Sequence, residues 1–513
     1  MRWRGKLRRL GHLGAEAIGF DLVFGAGLSR GRGTGARRVA ACGLFAVALG
    51  TLALGCRGAK EEYILAENRG PTDAREAGDA GRTTPGCPPL STSEHAKIAP
   101  FTVGEPVLDG HPRRRGGRSN GISPKVPPIV DPGAVLARFY DRVLSLARGT
   151  AKEHVRVAVY GDSNLTSDYL TGHLRRELQA RFGDAGHGWV ALARPWGWYR
   201  HENVRHYGTW PLFKQIAVTT DPVYGRRYGL AFIAAESRKP GAAAWVATAE
   251  RGSPIGRAAD RFEVHFLKQP RGGSFDILLD GRLVRTVSTA STDHEPGFEL
   301  VETTDAAHEL RCVIKGDGLV RWFGTTLERA PSSAVTPSIV VDSFGIGAMN
   351  FERFSMAEPT LRDAGLRHRS YDLVVVWLGT NAMWPPPNRA WAKDSIRAIH
   401  DALPDASVLI VSPPDSVKPG QRTTDPRIRE IVQQLAEVSA ESGAAFWDFR
   451  EAMGGEASYL EFMKRGLASP DRAHLSKEGS SFMGQKLLAA LFDGVAQRLE
   501  ARPDAGCDDP RSP

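Results

Sequence analysis

The stretch Tyr371–Leu378, reading YDLVVVWL, constrains this chain more than any other. It is a near-continuous apolar run of strand length that ends in Gly379-Thr380-Asn381. A strand without a polar face must be covered on both sides, which is the situation of a parallel sheet flanked by helices. The surroundings repeat the pattern. Pro132–Ala147 has helical apolar spacing, and His154–Tyr160 (HVRVAVY) reads as a strand. That strand runs into Gly161-Asp162-Ser163-Asn164 and then a helix through about Phe182. After Leu378 the sequence predicts a helix over 389–402, strand Ser407–Val411, a helix over 426–441, strand Ala444–Trp447 and a helix over 477–498.

The alternation is interrupted. From about 209 to 340, short β-like runs such as Phe262–Leu267, Phe275–Leu279 and Leu310–Ile314 alternate with turn signals such as Gly272-Gly273 and Asp280-Gly281. This predicts a compact all-β unit inserted into one α/β domain.

The formal charge of +9 would suggest an acidic partner such as nucleic acid. Its location removes that suggestion. Residues 1–60 hold eleven Lys/Arg against Glu16 and Asp21, and so carry the whole excess. The remaining chain is neutral, and nucleic acid is not an expected partner. Within that basic segment, Arg37-Arg38 precede an apolar run from Val39 to Leu54, short for a membrane span of about 20 residues. A basic start, an apolar stretch and small residues before Cys56 read as an export signal. Its end resembles a bacterial lipobox with Cys56 as the lipidated residue, although Ala53 stands where such boxes usually have Leu. Plain cleavage and an uncleaved anchor stay open. Residues 57–129, rich in Gly, Pro and Arg, read as a disordered tether, and 501–513 as a disordered tail. Five cysteines show no metal spacing. Export permits pairing among Cys87, Cys312 and Cys507 without implying it, and the strand pattern around Cys312 suggests a buried thiol.

Three short motifs lie where predicted elements end. Ser163 follows a strand, where free helix-terminal amides would favour a developing negative charge. Asn381 follows the strongest strand, and beyond the carboxyl ends of strands is where open α/β sheets carry their sites. Asp471 and His474, three apart, can place a carboxylate on one imidazole nitrogen and leave the other to take a proton from Ser163. Each alone is weak, since a capping Ser, a turn Asn and a solvated Asp/His pair are common.

Together they resemble the SGNH hydrolases, or GDSL-type esterases. Gly161-Asp162-Ser163 is similar to that family's first block, Gly379-Thr380-Asn381 to its third, and Asp471 with His474 to its fifth. Gly345-Ile346-Gly347-Ala348 is similar to the second, with Gly347 preferred over Gly345 as donor. Asn164 and Ala382 depart from the usual residues. The resemblance implies a flavodoxin-like three-layer α/β fold with a parallel sheet, interrupted by an inserted all-β, carbohydrate-binding-like domain. It implies Ser163, Asp471 and His474 as catalytic residues, with Ser163, Gly347 and Asn381 forming the oxyanion hole. No metal or cofactor is expected.

The blocks at Ser163 and Gly347 are far apart because the β unit separates them. This is similar to bacterial envelope enzymes that handle O-acetyl groups on peptidoglycan and related polysaccharides. The expectation is a serine esterase that removes O-acetyl groups from an envelope or extracellular polysaccharide. A glycan acetyltransferase and a non-catalytic glycan-binding lipoprotein are the alternatives. The chain is expected to be a monomer, exported to the periplasm or envelope and held there by its N-terminal lipid or signal anchor. Expected segments are 1–56 signal, 57–129 tether, 130–195 and 339–500 hydrolase, and 196–338 β-sandwich-like insert.

Trp189, Trp196, Trp198, Tyr199 and Trp210 crowd one segment. Such rings stack on sugars or pack domains together, and both readings stay open. Trp384 is a candidate for the pocket wall, and Asp415 a weak candidate for a further catalytic acid. His187 and His201 read as structural or surface histidines.

Overall fold

Strand Leu373–Trp377 is buried at every residue and occupies the middle of a five-stranded sheet. With β1 as Val155–Gly161, β2 as Ile339–Gly345, β3 as Leu373–Trp377, β4 as Ser407–Val411 and β5 as Ala445–Trp447, the order is β2-β1-β3-β4-β5. All four pairings are parallel. This is the flavodoxin-like order. The computed structural model describes residues 87–106, 122, 124–208, 214–217, 223–332, 334–383 and 389–508. Cys56, Trp210 and Trp384 lie outside them.

Successive residues of a strand point to opposite faces, so the apolar run feeds two cores at once. Val374 and Val376 of β3 join Tyr160, Phe344 and Ile410 in one. Leu373, Val375 and Trp377 join Val157, Val341 and Leu409 in the other. Helices Ala137–Arg148, Tyr169–Phe182 and Lys477–Ala501 cover the second face, while Pro359–Arg369, Arg389–Ala402 and Pro426–Glu441 cover the first.

The β unit is two antiparallel sheets. One runs through strands 295–306, 259–268, 320–328, 233–237 and 214–217, and the other through 205–207, 243–247, 309–314, 274–279 and 282–288. Phe275 of the second sheet meets Phe266 and Trp322 of the first at centroid distances of 5.4 and 5.6 Å. Cys312 is fully buried in the same core as a free thiol. Strand Gly186–Val190 pairs with Val320–Glu328, so the chain enters the β unit ten residues before position 196.

A buried ionic seam joins the two parts. Asp342 of β2 accepts the Trp189 amide N–H at 2.8 Å, the Arg369 guanidinium at 2.7 Å and the Tyr371 hydroxyl at 2.6 Å. Glu328 of the β unit pairs with Arg156 and Arg369, both at 2.7 Å.

The tether and tail expectations are corrected at their described residues, 87–106, 122 and 124–129 of the one and 501–508 of the other. Helix Thr92–Ile98 is closed by a capping box from Ser91 and Glu94, and Leu90 and Ile98 are buried. Val130 bridges to Phe446 beside β5, and the Trp447 indole donates to Pro127 O. Arg148 donates to Pro88 O and also to Pro503 O and Ala505 O, binding both terminal segments. A Cys87–Cys507 disulfide closes the arrangement. The low apolar content that reads as a tether conceals order supplied by one arginine, a disulfide and a few buried side chains.

Candidate active site

All the motif residues before Asp471 lie at the carboxyl edge of the parallel sheet. Ser163 follows β1, Gly345 ends β2 with Gly347 in the turn after it, and Asn381 follows β3. The helix expected directly after Ser163 starts only at Tyr169. Ser163 instead opens a single 3-10 turn, Ser163–Leu165, capped by the Asp162 carboxylate on the Asn164 N–H. Asp168, at φ 56°, breaks the chain between the two elements and is held there by Arg175 at 2.9 Å.

The His474 ring spans two partners. Its Nε2 is 2.8 Å from Ser163 Oγ and its Nδ1 2.7 Å from Asp471 Oδ2. Asp471 Oδ1 accepts the N–H groups of Ala473 and His474 at 2.9 and 3.0 Å. Burial pushes the Asp471 carboxyl up, but these donors and the His474 ring outweigh it and hold it below the usual carboxylate value. An ionised carboxylate only accepts, so Nδ1 carries the ring hydrogen and Nε2 is left to receive the Ser163 proton.

Asn164 fixes this arrangement from inside. Its Nδ2 donates to Ala473 O at 3.1 Å and its Oδ1 accepts the Leu475 N–H at 2.9 Å. Those bonds bracket His474 and tie its loop to the turn carrying Ser163. The Tyr459 hydroxyl adds a bond to His474 O at 2.8 Å. Asp162, buried and with its carboxyl raised chiefly by burial, also accepts from Thr380 and so links the first block to the third.

The Asn381 amide donates to Met349 O at 3.1 Å, which stations it against the turn that follows β2. The two glycines of that turn differ. A Cβ on Gly345 would sit 2.4 Å from the Leu165 carbonyl carbon, so packing accounts for that glycine. A Cβ on Gly347 would meet nothing within 4 Å, and Gly347 is exposed. Gly379 takes φ 140° and would press a Cβ against Pro413 at 2.8 Å, which reserves the end of β3 for glycine.

The other expected residues disperse. Trp189 is 1% exposed and packs edge-on against Phe344, so it cannot meet a substrate. Tyr199 is buried too, and its hydroxyl accepts the Ala191 N–H. Trp189 serves the junction between the β unit and the sheet, and the substrate-binding reading is withdrawn for it, while Tyr199 lies among Trp196 and His206 at the edge of a cleft. Trp196 is partly buried against the core, while Trp198 is 59% exposed. Asp415 is buried under Thr424 Oγ1 and the Tyr459 N–H, a structural carboxylate outside the Ser163 cluster. His187 and His201 are buried. Among the described residues, one group has metal-ligand chemistry: Glu263, His265 and His368. Glu263 Oε2 receives both imidazoles at 3.0 and 2.8 Å, and the group belongs to strand 259–268 and helix Pro359–Arg369, away from the motif loops.

Residues 313–481 match the model of the GDSL-like lipase/acylhydrolase family. The chain is similar to this family over that region. The match begins within the β unit and contains Gly345, Gly347, Asn381, Asp471 and His474, while Ser163 lies outside it. Among solved structures, a peptidoglycan O-acetylesterase is similar at 26% identity and TM-score 0.59, covering 72% of this chain and 99% of its own. A family two carbohydrate esterase from Clostridium thermocellum is 13% identical over 57% of this chain and 99% of its own, at TM-score 0.25. A lipase/acylhydrolase from Enterococcus faecalis is 20% identical over 31% and 77%, at TM-score 0.24. No curated protein matches. The protein is a carboxylic ester hydrolase.

Proposed function

We propose that this esterase removes O-acetyl groups from a cell-envelope or extracellular polysaccharide, with Ser163 as nucleophile. The unbroken hydrogen-bond line Asp471–His474–Ser163 carries the reading. Ser163 Oγ attacks the acetyl carbonyl as its proton passes to His474 Nε2. The oxyanion is met by the Ser163 and Gly347 N–H groups and the Asn381 amide, each such donor contributing about 10²–10³ in rate. Collapse expels the sugar oxygen, which takes the proton from His474. Water, deprotonated by the same nitrogen, then releases acetate from Ser163.

The similarity to a peptidoglycan O-acetylesterase supports acetyl as the acyl group and a glycan as its carrier. Export with a lipid on Cys56 belongs to the same proposal. The Cys87–Cys507 disulfide supports it, since such bonds persist in oxidising compartments. Acetate release from O-acetylated glycans is the test. Ser163→Ala should lose at least 10³-fold of kcat, and normal turnover by that variant would sink the proposal.

A further inference from the structure

We propose that the cleft lined by Ser167, Tyr169 and Lys477, on the segments that follow Ser163 and His474, binds a carboxylate-bearing saccharide unit, so that the acetylated glycan is an acidic one. The inference rests on the O-acetylesterase reading above and narrows its substrate class.

The cleft has a volume of ≈ 590 Å³, ample for a sugar residue. One wall comes from the reacting loops: Ser167 and Tyr169 follow Ser163, and Lys477 follows His474 by three residues. The other wall is Arg194, residues 199–206 and Trp245 of the β unit. The cleft therefore lies between the segments that follow Ser163 and His474 in sequence and the inserted domain.

Its charge is one-sided. Arg194, Arg200, Arg205 and Lys477 line it, against the single acid Glu202, which is already paired with Arg176. Arg200 and Lys477 are exposed and form no salt bridge among the described residues. The chain beyond residue 60 is neutral overall, so this is a local concentration. Gathering like charges costs free energy through mutual repulsion, and a neutral sugar would return none of it. A carboxylate would, and guanidinium groups match its geometry.

A second observation points to a ligand. His201 is 3% exposed and lines the cleft; its Nδ1 faces Asp168 Oδ2 at 3.6 Å, and its Nε2 has no hydrogen-bond partner. His206 also lines it, beside the Val204 backbone. Burial first, then Arg175 for His201 and Arg194 for His206, keeps both rings neutral. A neutral imidazole offers one donor and one acceptor, the complement of a sugar hydroxyl. Trp245 stacks with Tyr207 at 6.3 Å and 19° and supplies a flat apolar face to the cleft.

The test measures acetate release by the full chain from three acetylated substrates: a polyuronate, O-acetylated peptidoglycan and a neutral xylan. We expect kcat/KM at least tenfold higher on one of the carboxylate-bearing substrates than on xylan, falling as salt rises. The higher of the two identifies the source of the carboxylate. Arg200→Gln with Lys477→Gln, both at exposed positions, should bring the ratio to xylan close to one. Equal or better turnover of xylan by the wild type, or an unchanged ratio in the double variant, overturns the acidic-glycan inference and leaves the esterase reading standing. Acetate from none of the three overturns both.

Discussion

At the residue scale, the site depends on a side chain that departs from the family pattern. Asn164 touches no reacting atom, yet its two bonds to Ala473 and Leu475 set where His474 stands relative to Ser163. It is a positioning residue. Asn164→Leu should lower kcat by about 10²-fold with KM little changed, because a misplacement near 1 Å costs that much. Asn164→Asp keeps the acceptor for Leu475 and should recover part of the loss. Equal kcat in wild type and Asn164→Leu would contradict this role. The motif spacing makes Ser163, Asn381, Asp471 and His474 readable in sequence. The role of Asn164 is not, because its partners lie some 310 positions away. Trp189 misleads for a related reason: an aromatic cluster looks the same whether it faces a sugar or a domain junction, and only burial separates the two.

At the scale of elements, the strands of the parallel sheet are legible because burial on both faces leaves them almost wholly apolar. The hardest strand to read is Glu295–Ala306, the longest of the β unit. Half of its sequence EPGFELVETTDA is polar, since only Gly297 and Val301 are buried and the rest is half-buried or exposed. Helices Phe351–Met356 and Pro359–Arg369 also escape a reading by apolar spacing, because Arg362 and Arg369 occupy buried positions. Arg369 does so to reach Asp342 and Glu328. That seam is expected to weld the β unit to the sheet. Asp342→Ala leaves Arg369 with half its countercharge and should cost about 3–5 kcal/mol, as breaking buried pairs does. Urea unfolding is the measurement, and a loss below 1 kcal/mol would show the seam to be dispensable.

At the scale of the whole molecule, buried histidines govern the response to acid. Burial holds His154, His173, His187, His201, His206 and His265 below the ordinary value, to about 4 for His173 and His206 and about 3 for His187. In the unfolded chain they protonate near pH 6.5, so on acidification the unfolded state takes up protons first. Stability is fully present above pH 6.5 and falls toward pH 4, by up to about 1.4 kcal/mol per pH unit for each group. The raised carboxyls of Asp162, Glu202 and Asp415 oppose this with fewer groups. The urea midpoint should therefore drop between pH 7.5 and 5, and a flat or rising midpoint would contradict the balance. The division into an α/β body and a β insert is legible from the interruption in periodicity. The docking of the terminal segments is not, because it rests on Arg148 and a disulfide across 420 positions.

The central claim is that His474, oriented by Asp471, activates Ser163. Treating the protein with a serine-directed fluorophosphonate and locating the adduct by peptide mass spectrometry tests it most directly. One adduct on Ser163 is predicted, with labelling at least 10²-fold slower in His474→Ala. An unlabelled Ser163, or labelling at the same rate without His474, would contradict it.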